Sequence, residues 1–298
     1  MSAIQVEEIT YRGWEHCIQV SNGHLELVAT TDVGPRVVDL RPVDGENIFF
    51  HDRNVVGTTE STEWEVYGGH RLWHSPEAHP RTYQPDNDPV EYEITDRGCR
   101  LVQPVEEETN IRKTIEIEMI PYEPVVEVTH ELTNEGLWSV ELAPWAISVC
   151  KPEGTAVVPF PDGDPSELLP DRSLVFWPST DPSDDRLLYV DDHVLVDHDE
   201  GQELKIGANV FDGWTAYVLD GTAFVKTFEY DSTATYPDRG ASVEVFMIDP
   251  LLELETLGPL VELDPGETTT HTERWHLFED VDQPDDGEAA AALASDLD

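Results

Sequence analysis

Residues 68 to 77, GGHRLWHSPE, bring two imidazoles, a guanidinium, an indole and a carboxylate into ten positions. Imidazole and carboxylate can exchange protons, an indole can lie flat on an apolar surface, and paired glycines let backbone approach a ligand closely. Such a set suits a sugar, a metal ion, or an ordinary hydrogen-bonded loop. His70 and His74 are four apart, as in helical metal sites, but Gly68, Gly69 and Pro76 argue against a helix. In an extended chain His70, Leu72 and His74 point one way, and Arg71 and Trp73 the other. A metal would want a third ligand at a recognisable spacing; none is evident, so neither a metal nor another cofactor is expected. Just beyond Glu77, the stretch PRTYQPDNDP adds Arg81, Tyr83 and Asn87.

Three further positions stand out. His130 falls in phase with Val126, Val128 and Leu132, which makes it a core histidine before it is a catalyst. Lys226 sits among aromatic residues in FVKTFEYDSTATYPDRG, with a paired charge at the sheet rim as its plain alternative. Glu253 and Glu255 share one strand face before Gly258 and Pro259 end the strand, which would present a carboxylate at a sheet end or concave surface.

The elements that must position these groups are strands. Alternation recurs throughout, as in TIEIEMI (114–120) and SVEVFM (242–247), between turn signals at 21–23, 43–47, 133–136, 161–165, 211–213 and 263–267. Apart from the tail, no stretch of ten or more residues has helical periodicity, so the fold class is all-β: a sandwich or barrel of antiparallel strands. Residues 1–278 are expected to form a single domain. The segment from Pro159 to Asp192, rich in Pro, Asp and Ser, is expected to be a long surface excursion of it, and the acidic residues 279–298 a disordered tail.

Composition narrows the partners. With 63 acidic against 17 basic residues the net charge is −46, which repels phosphate backbones and anionic lipid, so neither nucleic acid nor membrane is expected as a partner. At 39% hydrophobic and with eight tryptophans, the chain can still build a core. A solvated acidic shell of this size fits a cell interior at molar salt, where self-repulsion is screened, and so a halophilic source. No long apolar run and no signal-like start is seen, which leads to the expectation of a cytoplasmic protein, monomer or homodimer. Cys17, Cys99 and Cys150 form no CxxC pair and are expected to be small buried hydrophobes.

Three segments together resemble the galactose mutarotase superfamily, that is, the aldose 1-epimerases and their glucose-6-phosphate epimerase relatives. They are LELVATTDVGPRVVDLRPVDGENIFF, GGHRLWHSPE and LELETLGPLVELDPGETTTHTERWHLF, spanning Leu25 to Phe278. The resemblance implies a β-supersandwich with a carbohydrate site on its concave face, a small-molecule sugar as ligand, and anomer interconversion by general acid and base. It places Glu255 where the family's base sits and Arg71 in the sugar-binding loop, with His70 or His74 standing for the family's first histidine. The second family histidine is missing, since TNEGLWSVELAPWAISV offers Ala143, Pro144 and Trp145 there. The catalytic set expected is therefore Glu255 with His74 or His70. Arg71, Trp73, Glu77, Tyr67, Trp145, Lys226 and Arg81 are expected to hold the sugar, with Trp64 as a further stacking surface. A non-catalytic carbohydrate-binding protein on the same fold is the alternative.

Overall fold

A computed structural model describes residues 4–161, 163, 166, 168–295 and 297 of the chain. The first strands are β1 (Gln5–Tyr11), β2 (Trp14–Ser21), β3 (Leu25–Thr30), β4 (Arg36–Pro42), β5 (Gly69–Ser75), β6 (Glu91–Ile94) and β7 (Gly98–Val102). The middle of the chain forms β8 (Ile111–Met119), β9 (Val125–Asn134), β10 (Val140–Cys150), β11 (Thr155–Pro159), β12 (Leu174–Phe176), β13 (Leu187–Val190) and β14 (His193–Asp197). Then follow β15 (Leu204–Ala208), β16 (Trp214–Leu219), β17 (Thr222–Phe228), a short helical turn α1 (Pro237–Gly240), β18 (Val243–Ile248), β19 (Leu251–Leu257), β20 (Val261–Leu263), β21 (Thr268–Glu279) and helix α2 (Gly287–Ala292).

All pairings are antiparallel, and they make two sheets. One runs β1-β2-β3-β4-β5-β10-β19-β18-β15-β12, with β20 added beside β10; the other runs β13-β14-β11-β16-β17-β21-β9-β8-β7-β6. The alternation read in the sequence is what lets them stack. On β9 every second side chain from Val126 to Asn134 is buried, and the apolar ones join the core with Ile115, Ile117 and Met119 of β8. From the facing sheet come Leu72, Leu252, Leu254, Val243, Val245 and Met247, so that one main apolar core lies between the sheets. Cys17, Cys99 and Cys150 are free and buried. Among the described residues no helix is long and apolar enough to cross a membrane.

The glycine pair that opens the sequence motif serves the chain itself. Gly68 and Gly69 hold φ of 91° and 72°. A Cβ on Gly68 would lie 2.0 Å from the Phe50 carbonyl oxygen, and one on Gly69 2.2 Å from that of Val37. The pair admits a neighbouring backbone where a ligand was expected. Gly69→Ala should therefore cost at least about 1–3 kcal/mol, since left-handed φ strains any side chain and backbone must also move; a urea midpoint equal to that of the wild type would refute this.

Two segments are more ordered than their composition suggests. Between Pro159 and Asp192 the chain supplies β12 to the edge of one sheet and β13 to the edge of the other. The turn expected at 161–165 falls partly on residues 162, 164 and 165, which lie outside the described residues. The tail expected to be disordered contains α2: the Asp286 carboxylate accepts from the Ala289 N–H at 2.8 Å, capping the helix, while Ala290 and Leu293 pack on Val157, Trp214 and Val225. Burial of that apolar edge on the second sheet outweighs the acidity of the segment, of which residues 296 and 298 lie outside the description.

Candidate functional site

The outer face of the first sheet carries a second, separate apolar cluster and most of the chemistry. Period-two alternation sends Arg71 and Trp73 outward from β5, Trp145, Ile147 and Val149 from β10, and Leu251 and Leu257, hence also Glu253 and Glu255, from β19. Register lines them up across the strands, with Ile147 facing Arg71 on one side and Glu255 on the other. Glu244 of β18 is the direct cross-strand partner of Glu255. Lys205 of β15 arrives from the next strand.

Glu255 is fully buried. Its Oε2 accepts from Trp145 Nε1 at 2.6 Å and from Lys205 Nζ at 3.2 Å, while Oε1 has no partner. The Lys205 ammonium also lies 2.8 Å from Glu244 Oε2, and 4.5 and 4.9 Å from the ring centres of Trp145 and Trp177. Trp177 follows β12, and it fits closely because position 207 is glycine; a Cβ there would come within 3.2 Å of the indole. Beside this group, Arg71 Nη2 donates to Glu253 Oε1 at 2.9 Å and the guanidinium lies over Trp73 at 4.5 Å. Trp64, Trp73, Tyr83 and Trp145 contact one another edge-on or tilted, with centroids 5.0 to 5.4 Å apart. His79 stacks on Tyr83 at 4.1 Å, and the Tyr83 hydroxyl donates to Glu77.

Charge in this cluster is unevenly matched. Arg71 answers Glu253, but a single ammonium faces both Glu244 and Glu255. Burial raises the Glu255 carboxyl above the ordinary range; Lys205 and the Trp145 N–H oppose it, and Glu253 reinforces it. Burial raises Glu244 further, Lys205 opposing and Glu255 and Asp238 adding to it. Burial would lower Lys205, yet the two carboxyls outweigh that and raise it. Both carboxyls are thus raised, Glu244 the more strongly, while the indole N–H favours the anion on Glu255 alone.

No family model matches the sequence, and no curated protein matches it. Solved structures do. A TPR-domain containing protein from Parabacteroides distasonis aligns over 88% of this chain with a TM-score of 0.58 and 14% identity, the chain spanning only 46% of that protein. A galactose mutarotase-like protein from Lactobacillus casei aligns over 88% of this chain and 100% of its own, with a TM-score of 0.56 and 9% identity. A proposed aldose 1-epimerase from Escherichia coli aligns over 93% and 99%, with a TM-score of 0.51 and 11% identity. The fold is that of a galactose mutarotase-like sandwich.

Within this mutarotase-like sandwich the residues marked in the sequence fall on the outer face of the first sheet, between the two sheets, and in loops beside them. Glu255, Arg71, Trp73, Trp145 and Trp64 meet in the outer-face cluster, and Glu77 stands at its exposed edge through Tyr83. The two histidines do not join them. His70 and His74 point between the sheets, as the alternation with Arg71 and Trp73 demands, so neither can act with Glu255 on one ligand. Lys226 is also internal: its Nζ donates to the Leu254 carbonyl at 3.1 Å and to Glu273 Oε1 at 2.9 Å. Tyr67 is buried against Trp14, its hydroxyl donating to Asn87 Oδ1 at 2.9 Å, in a different cluster. Arg81 lines a different cavity, with His74. Arg71, Arg81 and Lys226 thus lie in three separate places. Lys205, Glu244 and Trp177 were not singled out from the sequence. ELKIGA does show the signal for Lys205, a charge alternating with Leu204 and Ile206.

His70 and Lys226 belong to a network sealed in the core. Lys226, Thr256 Oγ1 (2.6 Å) and Trp275 Nε1 (2.7 Å) donate to Glu273, which is wholly buried. His130 Nδ1 donates to the His271 carbonyl at 2.8 Å, so its Nε2 accepts, at 2.7 Å, from His70 Nε2; His70 Nδ1 accepts from Ser148 at 2.8 Å. His70, His130 and Glu273 offer ligand atoms within 4.8 Å of one another. A shared zinc-like ion would hold two imidazole nitrogens roughly 3.3 Å apart, given bonds of about 2.0–2.1 Å at tetrahedral angles. The hydrogen-bonded spacing and the neighbouring ammonium fit a satisfied polar network better than a metal centre.

Such imidazoles tie stability to pH. Burial lowers His70 and His130 and takes His271 down to about 3. Each binds a proton more readily unfolded than folded, so the stability they confer is complete above about pH 6.5 and is lost as pH falls toward the folded values. His51 and His276, each lowered by burial to about 4, act in the same sense. The raised carboxyls of Glu244 and Glu255 act oppositely, recovering stability as they protonate, but they are outnumbered. Urea midpoints should fall steadily between about pH 7 and about pH 5; a flat profile would show that these rings are not held neutral.

Proposed function

We propose that the outer-face cluster of the first sheet opens as a hollow that binds a neutral aldose and interconverts its anomers, as an aldose 1-epimerase does. The observation that carries this reading is the juxtaposition of Glu255, with one free carboxyl oxygen, and the raised carboxyl of Glu244, beside a wall of indoles. Opening a hemiacetal ring requires a base to take the proton of the anomeric hydroxyl while an acid gives one to the ring oxygen. Both oxygens are bonded to the same carbon, so an acid and a base on adjacent strands can reach them together. Glu255 Oε1 is the base in this proposal and Glu244 the acid, with Lys205 balancing whichever carboxylate is charged. The open aldehyde rotates and recloses with the roles reversed. The half-buried Trp64 and Tyr83 offer faces to the apolar side of a pyranose, whereas Trp73 lies buried under Arg71, whose unpartnered Nε and Nη1 are buried too and meet sugar hydroxyls only once a neighbouring ring shifts.

The acidic surface supports a salt-rich cytoplasm as the working medium. One observation favours a second reading, a sugar-binding protein without catalysis: Glu255 and Glu244 lie behind Trp145, Trp177 and Lys205, so a ring or the ammonium must shift before substrate touches them. NMR exchange spectroscopy on a panel of neutral aldoses separates the two. Anomer exchange faster than in buffer supports the isomerase, broadening without acceleration supports the binder, and neither effect would overturn both.

A further inference from the structure

His74 and Arg81, which the hollow does not use, line a cavity of about 370 Å³ on the inner side of the same sheet. Pro80, Glu108, Thr109, Ile111, Val140 and Leu142 complete it. Ile111, Leu142 and His74 are buried and form the inner end, while Pro80 and Glu108 are exposed and mark the mouth. The volume lies within the range of small-molecule sites, and the walls are chiefly aliphatic.

Polar groups in it are oddly incomplete. His74 is 1% exposed, yet neither ring nitrogen has a hydrogen-bond partner; Nε2 stands 3.6 Å from Glu106 Oε2. Glu106 is itself buried and pairs with Lys113 at 2.5 Å, and its carboxyl is held at about 2 because Lys113, His74 and Thr109 outweigh the effect of burial. The anion beyond Nε2 therefore fixes the imidazole proton there, leaving Nδ1 a bare acceptor. Arg81 Nε, also buried and unpartnered, is a bare donor; its Nη2 is already committed to the Pro76 carbonyl. A buried orphan acceptor and a buried orphan donor in one apolar cavity define the ligand by what would satisfy both. A carboxylate cannot donate to Nδ1 and would face Glu106 and Glu108; an ammonium cannot accept from Arg81. A hydroxyl does both.

We propose that this cavity is a second small-molecule site, distinct from the hollow, for a neutral hydroxylated ligand with an aliphatic flank, whose hydroxyl groups donate to His74 Nδ1 and accept from Arg81 Nε. The test uses one carbon frame with different heads: trans-1,2-cyclohexanediol, cyclohexanecarboxylate and cyclohexylamine, titrated into the full chain with methyl and indole resonances observed. The diol should saturate at one site, shifting the methyls of Ile111, Val140 and Leu142, and the carboxylate and ammonium should bind roughly tenfold more weakly or not at all, as expected for an orphan polar group left unanswered. Val140→Phe, which fills the cavity, should abolish those shifts, and Arg81→Met should weaken the diol severalfold while the fold is unchanged by circular dichroism. If Val140→Phe fails to fold, the wild-type shift map still decides. Shifts confined to the indoles of Trp64 and Trp73, equal binding of all three heads, or no saturable binding, which would leave only solvent in the cavity, each overturns the proposal.

Discussion

Glu255→Gln should slow anomer exchange by about 100-fold to 10,000-fold, the range that a positioned proton carrier contributes, while leaving the chain folded and its affinity for the sugar within a few-fold. The amide keeps the shape of the carboxyl and can still accept from Trp145 Nε1. What it loses is basicity at Oε1 and the charge that answers Lys205. Glu244→Gln should be milder, because an amide can still donate a hydrogen bond to the ring oxygen although it cannot transfer the proton. The order of the two effects is as informative as their size. Exchange unaffected by Glu255→Gln would exclude this glutamate as the base; equal, complete loss of sugar binding in both variants would point to a structural role for the pair.

Unfolding should show the other large effect. Glu273→Leu leaves the fully buried Lys226 ammonium without its counter-ion, and breaking such a pair costs about 3–5 kcal/mol. That is a large share of a typical stability of about 5–15 kcal/mol. The double variant Glu273→Leu with Lys226→Met removes both charges and should regain most of the loss, since apolar replacement of a whole buried pair is often nearly neutral. Guanidinium unfolding of the single and double variants measures the difference. Equal losses in both would mean that the cost lies in the bonds from Thr256 and Trp275, not in the orphaned charge.

Much of the architecture was legible because strands announce themselves in side-chain alternation, and alternation depends only on neighbours in sequence. The same rule sorted β5 correctly into Arg71 and Trp73 on one side and His70, Leu72 and His74 on the other. What it could not say was which side faces the hollow, because that depends on what packs above and below. The implied role for a histidine placed both faces in one site. Lys226 misled for a related reason: its partner Glu273 lies 47 positions away, on the neighbouring strand, and nothing local in FVKTFEY reveals that the charge is neutralised inside. Lys205 was readable in ELKIGA by the same alternation. The tail helix was hidden by its acidity, although Asp286 ahead of an alanine run is a sound N-terminal signal.

All seven residues of β5 are buried, so the strand has no face in water. It is a party wall, with one tenant on each side. A slip of a single residue would exchange them, driving a guanidinium toward His130 and imidazoles toward Trp145, and neither room would then be furnished for its occupant. Adjustments made to suit one compartment are therefore confined to alternate positions, and the glycines that anchor the wall at Val37 and Phe50 leave it no freedom to shift along its length.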